Sequence, residues 1–236
     1  MQSGIQFFRK NTGLPIGVPK NGLLAHLQPS GMNVTGNLVT SWRNEATGFN
    51  ILGGGYHNAN DLDFNGHSSY RSDLTLTIEQ MLAPIKIAPT TGLTIVTVSK
   101  IDQQNNGPMW WNMTTSDGTI DLWQKDGFNI GLNGFSSECY GPSVPNGVGV
   151  PLIITTTIPS SNFADTRIYV NGTSPPMLSF PPFTRPLSGS LSFSYVPSSS
   201  GYSFRGKHST IIVYNRILSS PELNLLHNIL LNKYKL

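Results

Sequence analysis

A chain of 236 residues with only 11% charged residues, 24 glycines and 17 prolines is too rich in turn formers and too poor in charge for a soluble helical domain, and long enough for one large β-domain with a proper core. Its single cysteine, Cys139, excludes an internal disulfide framework, and no run of about 18 apolar residues offers a membrane-spanning helix. The net charge of +3 is spread thinly, with no basic run longer than two residues, so neither nucleic acid nor membrane insertion is expected.

Residues 1–22 read as an extended arm punctuated by Gly13, Pro15, Gly17, Pro19 and Gly22. The first 44 residues carry Arg9, Lys10, Lys20 and Arg43 and no acid. Phe7, Phe8, Arg9 and Lys10 are the expected anchors of this arm on a partner surface. Residues 23–236 form the expected domain. Strands are predicted around 37–42, 60–65, 93–99, 119–124, 151–158, 166–171, 189–196 and 209–215. Ser190-Leu-Ser-Phe-Ser-Tyr195 alternates apolar and polar residues, the pattern of a strand with one packed face. In the last strand Ile211 and Val213 should face one side and Ile212 and Tyr214 the other, with both sides buried. A helix then opens at Ser220-Pro-Glu222, with Ser220 as acceptor for free N–H groups. Leu223, Leu226, Leu230 and Tyr234 form its apolar stripe. Many short strands and one terminal helix point to a β-sandwich.

Three stretches in order share a further pattern. Tyr214-Asn-Arg-Ile-Leu218 followed by Ser219-Ser-Pro-Glu222, Thr166-Arg-Ile-Tyr-Val-Asn-Gly-Thr173, and Leu62-Asp-Phe-Asn-Gly66 with Tyr70 together resemble the laminin G-like branch of the concanavalin A-like jelly rolls, from about residue 42 to the end. The resemblance implies an all-β jelly-roll sandwich with a C-terminal helix.

Jelly rolls include glycoside hydrolases, which use two carboxylates about 5 to 10 Å apart. The glutamates, Glu45, Glu79, Glu138 and Glu222, are isolated from one another. The resemblance places Asp61 and Asp63 beside an early core strand, and no enzyme activity is expected. No cofactor is expected either: the five histidines show no zinc spacing, and calcium, known in the wider family, would have to draw on Asp102, Asp117, Asp121 and Asp126, which no spacing singles out. Trp110-Trp111, with Trp123 and Tyr140 downstream, is the candidate ligand-binding cluster, because an exposed indole face stacks on a sugar ring. Neighbouring residues of a strand point to opposite faces, so at least one of the two adjacent tryptophans is expected in the core.

These readings lead to a non-enzymatic structural or attachment protein of a virion, of the bacteriophage type, displaying a lectin-like jelly roll. It would contact other virion proteins through the N-terminal arm, bind cell-surface glycans and work within an oligomer or larger assembly. The absence of a secretory leader at residues 1–10 combined with an extracellular type of fold suggests folding in a host cytoplasm followed by release. The alternative is an extracellular carbohydrate-binding module of a secreted protein.

Overall fold

The computed structural model describes residues 17–53, 55–72, 84–102, 109–125, 129–134, 137–143, 148–173, 184, 187–193, 204 and 206–236. Among them run β1 (Leu23–Thr35), β2 (Leu38–Asn44), β3 (Asn50–Leu52), β4 (Tyr56–Asp61), β5 (His67–Ser72), β6 (Ile85–Thr90), β7 (Gly92–Ile101), β8 (Met109–Thr115), β9 (Gly118–Lys125), β10 (Asn129–Gly134), β11 (Ser137–Ser143), β12 (Leu152–Pro159), β13 (Arg167–Val170), β14 (Leu187–Ser192), β15 (Gly206–Tyr214) and the helix α1 (Ser220–Tyr234). The larger sheet follows the order β1-β2-β4-β5-β15-β7-β12-β13, with β3 beside β2 and β1 also paired to β15. The smaller sheet follows β11-β10-β9-β8-β14-β6. The strand pairings are antiparallel.

The centre of the larger sheet is made of β15, β7 and β12, runs rich in Ile, Val and Thr whose branched side chains suit a pleated, buried surface. Their alternation divides two cores. Leu93, Ile95, Ile154, Ile158, Ile211 and Val213 face the smaller sheet, while Val96, Val98, Ile153, Ile212 and Tyr214 face α1 through Leu223, Leu226, Leu230 and Tyr234. The two-sided burial expected for the last strand is thus met by a second sheet on one face and a helix on the other. The fold is three layers deep.

The strand-to-helix link explains its own sequence. Arg216 grips Glu222 with both ends of its guanidinium, at 2.8 and 2.6 Å, and donates from Nε to the carbonyl of Asn21. That guanidinium holds the Glu222 carboxyl down at about 2. Glu222 also accepts the Ser219 backbone N–H at 2.9 Å, so the capping residue is Ser219, one position before the Ser220 expected, and a capping box forms. Thr94 Oγ1 donates to the Arg216 carbonyl and accepts from the Leu218 N–H, fastening the link to the sheet.

Asn171 and Gly172 both take positive φ, 48° and 84°, in the tight turn after β13. Asn171 Oδ1 also accepts the Ile153 N–H, and the turn lies under His227, whose Nε2 meets Thr155 Oγ1 at 2.9 Å. A Cβ on Gly206 would lie 2.0 Å from the Lys100 carbonyl, so only glycine fits where β15 meets β7.

The chain from residue 17 already belongs to the packed structure. Val18 is buried in the helix-side core, Gly17 lies against Leu225 and Ile229, and the Gly22 carbonyl accepts from Asn215. The part of the expected arm at residues 17–22 is therefore docked, while its anchors Phe7, Phe8, Arg9 and Lys10 lie outside the described residues.

The segment predicted as a strand at 60–65 splits differently. Asp61 ends β4 and caps a 3-10 turn over Leu62–Phe64, because its carboxylate accepts the Asp63 N–H and the chain turns at Asn65 with φ 52°. Phe64 is then buried against Tyr234 of the helix.

Leu226 is fully buried between α1 and the sheet. Leu226→Asp, which buries an unpaired charge there, should cost on the order of 3–5 kcal/mol, measured by chemical denaturation; a midpoint equal to wild type would show that the helix is not the cover of that face.

Candidate functional site

The adjacent tryptophans do not form the site expected of them. The β8–β9 ladder slips between Met109 and Trp111, and this bulge breaks the alternation that would have sent the indoles to opposite faces. Trp110 and Trp111 are 1% and 2% exposed, both packed in the core between the sheets. Neither offers a face for stacking on a ligand. Tyr140 stands in β11 opposite Gly131; its side chain lies outside what is described.

The paired aspartates also serve structure. Arg71, Lys207 and Lys100 align across β5, β15 and β7, three like charges side by side that need compensation. Asp63 Oδ2 lies 2.8 Å from both Lys100 and Lys207, Asp61 lies 3.1 Å from Lys207, and Asp102 lies 3.7 Å from both Lys100 and Arg71. Asp61 further accepts from Asn58 and Ser69. Of the carboxylates considered for calcium, Asp102 is thus spent on cations, Asp117 lies in the turn between β8 and β9 beside Thr115, Asp121 is bound by an amide, and Asp126 lies outside the described residues. Among the described residues no three metal-ligating side chains gather.

What the fold does assemble lies on the outer face of the smaller sheet. Along β9, Ile120 and Leu122 enter the core, so Thr119, Asp121 and Trp123 take the opposite face. Asp121 stands in register with Asn112 of β8 and Asn133 of β10; Asn112 continues to Ser192 of β14 and Asn133 to Glu138 of β11. The result is one cross-strand row, Ser192–Asn112–Asp121–Asn133–Glu138, in which every position is polar. The row beside it joins Thr119, Thr114, Ser190 and Lys86. The row on the other side joins Trp123, Gly131 and Tyr140.

A hydrogen-bond chain holds the middle of this face. Asn112 Nδ2 donates to Asp121 Oδ1, Thr114 donates to Asn112 Oδ1 at 3.2 Å, and Thr119 lies 3.4 Å from Asp121 Oδ2. Lys86 donates to Ser190 at 2.7 Å. Asn112 and Asp121 are only 4% and 5% exposed, and Trp123 is half-buried beside them. Burial pushes the Asp121 carboxyl above the usual carboxylate range, although the bonds from Asn112 and Thr119 pull the other way. A buried carboxylate inside a polar network is the one described feature of this face that its packing alone does not call for. The sequence signal for it was the alternation Thr-Ile-Asp-Leu-Trp in β9, readable only once strand register puts Asn112 beside Asp121.

No protein-family model and no curated protein sequence matches the chain. Solved structures do. The binding domain of Paraclostridial Mosquitocidal Protein 1 superposes with a TM-score of 0.61 at 13% identity, over 90% of this chain and 53% of that one. The sialidase of Trypanosoma rangeli, in complex with 2,3-difluoro-KDN, gives 0.57 at 14% identity over 89% of this chain. This chain spans 33% of the sialidase. At such identities the likeness is one of fold: the chain is a lectin-like β-sandwich with a C-terminal helix, as its sequence resemblance implied.

Because burial raises the folded pKa of Asp121 above its unfolded value, ionising it opposes folding, and the penalty is complete above the folded pKa and relieved as pH falls towards the unfolded value near 3.8. Asp121→Asn should therefore melt at or above the wild-type temperature at pH 7, with the two proteins converging as pH drops towards 4. A lower melting temperature for the variant at pH 7 would make Asp121 a structural residue.

Proposed function

We propose that this chain is a non-catalytic glycan-recognition module whose binding surface is the outer face of the smaller sheet. The row Ser192–Asn112–Asp121 carries the proposal: it sets hydroxyl, amide and carboxylate groups at strand spacing, about 4.8 Å apart, with Trp123 of the neighbouring row at its side. Sugar hydroxyls need donors and acceptors in such an array, and sugar C–H faces need an indole or phenol. The match to a toxin's binding domain and to part of a sialidase supports a recognition role for this sandwich. A non-catalytic role is supported by the lysines that neutralise Asp61 and Asp63 on the other sheet.

Immobilised polysaccharides and oligosaccharides presented to the full chain should retain it, and should release no reducing ends on incubation. Trp123→Ala should weaken retention about tenfold, the value of one lost stacking contact, in variant protein that keeps the wild-type circular dichroism spectrum. Retention unaffected by this change would place the site elsewhere.

We further propose that the module is displayed on a larger assembly, first a virus particle of the phage type and second a secreted protein. Low charge and the acid-free stretch through residue 44 support this setting, with Phe7, Phe8, Arg9 and Lys10 as the contacts to the assembly. Sedimentation from the native source should find the chain with particles, whereas recovery as free protein in the medium would favour the secreted alternative.

A further inference from the structure

On the other side of the larger sheet from Asp121, two histidines are sealed between α1 and the strands it covers. We infer that α1 is an acid-released latch: in mildly acidic solution its C-terminal half lifts from the sheet, hinged at the Arg216–Glu222 clamp, and bares the apolar surface beneath Leu230 and Tyr234.

Strand register places the first histidine. Ala25 and Leu27 enter the core between the sheets, so His26 takes the opposite face, beside Ile212 of the helix-side core. It is 1% exposed, and its Nδ1 has no hydrogen-bond partner among the described residues. His227, on α1 itself, is 3% exposed. Its Nε2 meets Thr155 Oγ1 of β12 at 2.9 Å, its Nδ1 side packs on Gly172 after β13, and the Tyr169 ring lies 5.7 Å away. A neutral imidazole fits such sites. An imidazolium must donate from both nitrogens and give up its hydration to remain there.

The charge nearest the helix end adds to this cost. Burial, with the positive charge of Lys233 behind it, holds His26 at about 4. The same two causes hold His67 of β5 below the usual imidazole range, although the Lys233 carbonyl pulls the other way. Burial brings the Lys233 amine itself down to about 8, which leaves it charged in acid. From β2, Glu45 lies beside His26, its N–H on the His26 carbonyl and its carboxylate 3.7 Å from Arg43. From β4, Asp61 stands in register with His67 but is held by Lys207, Asn58 and Ser69. Burial lowers His227 as well.

The three folded values lie below the unfolded imidazole value of 6.5, so the docked helix keeps its full stability above that pH and loses it as pH falls towards 4. Each such histidine raises the open population by up to about tenfold per pH unit. The other end of α1 does not share this response. Arg216 holds the Glu222 carboxyl at about 2, so the clamp persists in mild acid and serves as the hinge. In the core between the sheets His208 is stacked on Phe204 at 4.0 Å and on Tyr70 at 5.3 Å, and burial holds it at about 3. Among the described residues the helix interface thus carries three acid-sensitive rings and the inter-sheet core one, which makes α1 the first element to open.

Hydrogen exchange of the full chain at pH 7 and pH 5, corrected for the pH dependence of intrinsic exchange, tests the latch. Protection of amides at 226–234 should fall at least tenfold between the two, while β7 and β12 keep theirs within threefold. His26→Leu, which places an apolar side chain in an apolar site, should shrink the fall in α1 at least threefold, and His227→Gln is the second variant should the first fail to fold. Equal protection of α1 at the two pH values, a loss shared equally by β7 and β12, or a fall unchanged in the folded variant would overturn the inference.

Discussion

Two-sided burial of three strands is the constraint on which the rest of the molecule depends. Over most of their length β15, β7 and β12 carry apolar or threonine side chains on both faces, giving way to Lys100 of β7 and Lys207 of β15 at one end, and the apolar part of such a sheet has no face to give to water. One face is closed by the smaller sheet. The other is shared between α1 and, farther along the strands, the turn that brings Asp61 and Asp63 over a row of three cations. The polar details of the larger sheet follow from this arrangement: the Arg216–Glu222 clamp orients the covering helix, and the hydroxyls of Ser209 and Thr210 meet Tyr234 where the helix ends.

The smaller sheet has one face that supplies no side chain to the core between the sheets. Its inward residues, Trp111, Met113, Ile120, Leu122, Ile130 and Leu132, supply the core, so the alternate positions can hold polar groups without loss of stability from an opened core. Among the described side chains of this face, burial disfavours the ionised Asp121 carboxylate at the middle of the polar row.

Much of the larger sheet was legible because its signals are local. The alternation in 209–215, the Leu stripe of the helix and the Asn171-Gly172 turn each act within a few residues. β1 was not legible: Pro29 and Gly31 interrupt it, and it survives through register shifts against β2 between Leu27 and Met32. Trp110 and Trp111 misled for the same reason, since period-two reasoning assumes an unbroken ladder and the bulge at Met109–Trp111 breaks it. The candidate site was hidden for a different reason. Asn112 and Asp121 lie nine residues apart on consecutive strands but face each other only through a register that the Met109–Trp111 bulge shifts, and Ser192 comes from far along the chain.

The clasp of residues 17–22 against α1 gives the domain a direction. Gly17 rests on Leu225 and Ile229, and Lys235 and Leu236 follow directly from the same helix, so both ends of the described chain leave from the helical layer. The polar sheet is the layer farthest from that exit, with the larger sheet between them. Within the described residues, the surface that carries Asp121 and the two chain ends therefore lie on opposite sides of the larger sheet.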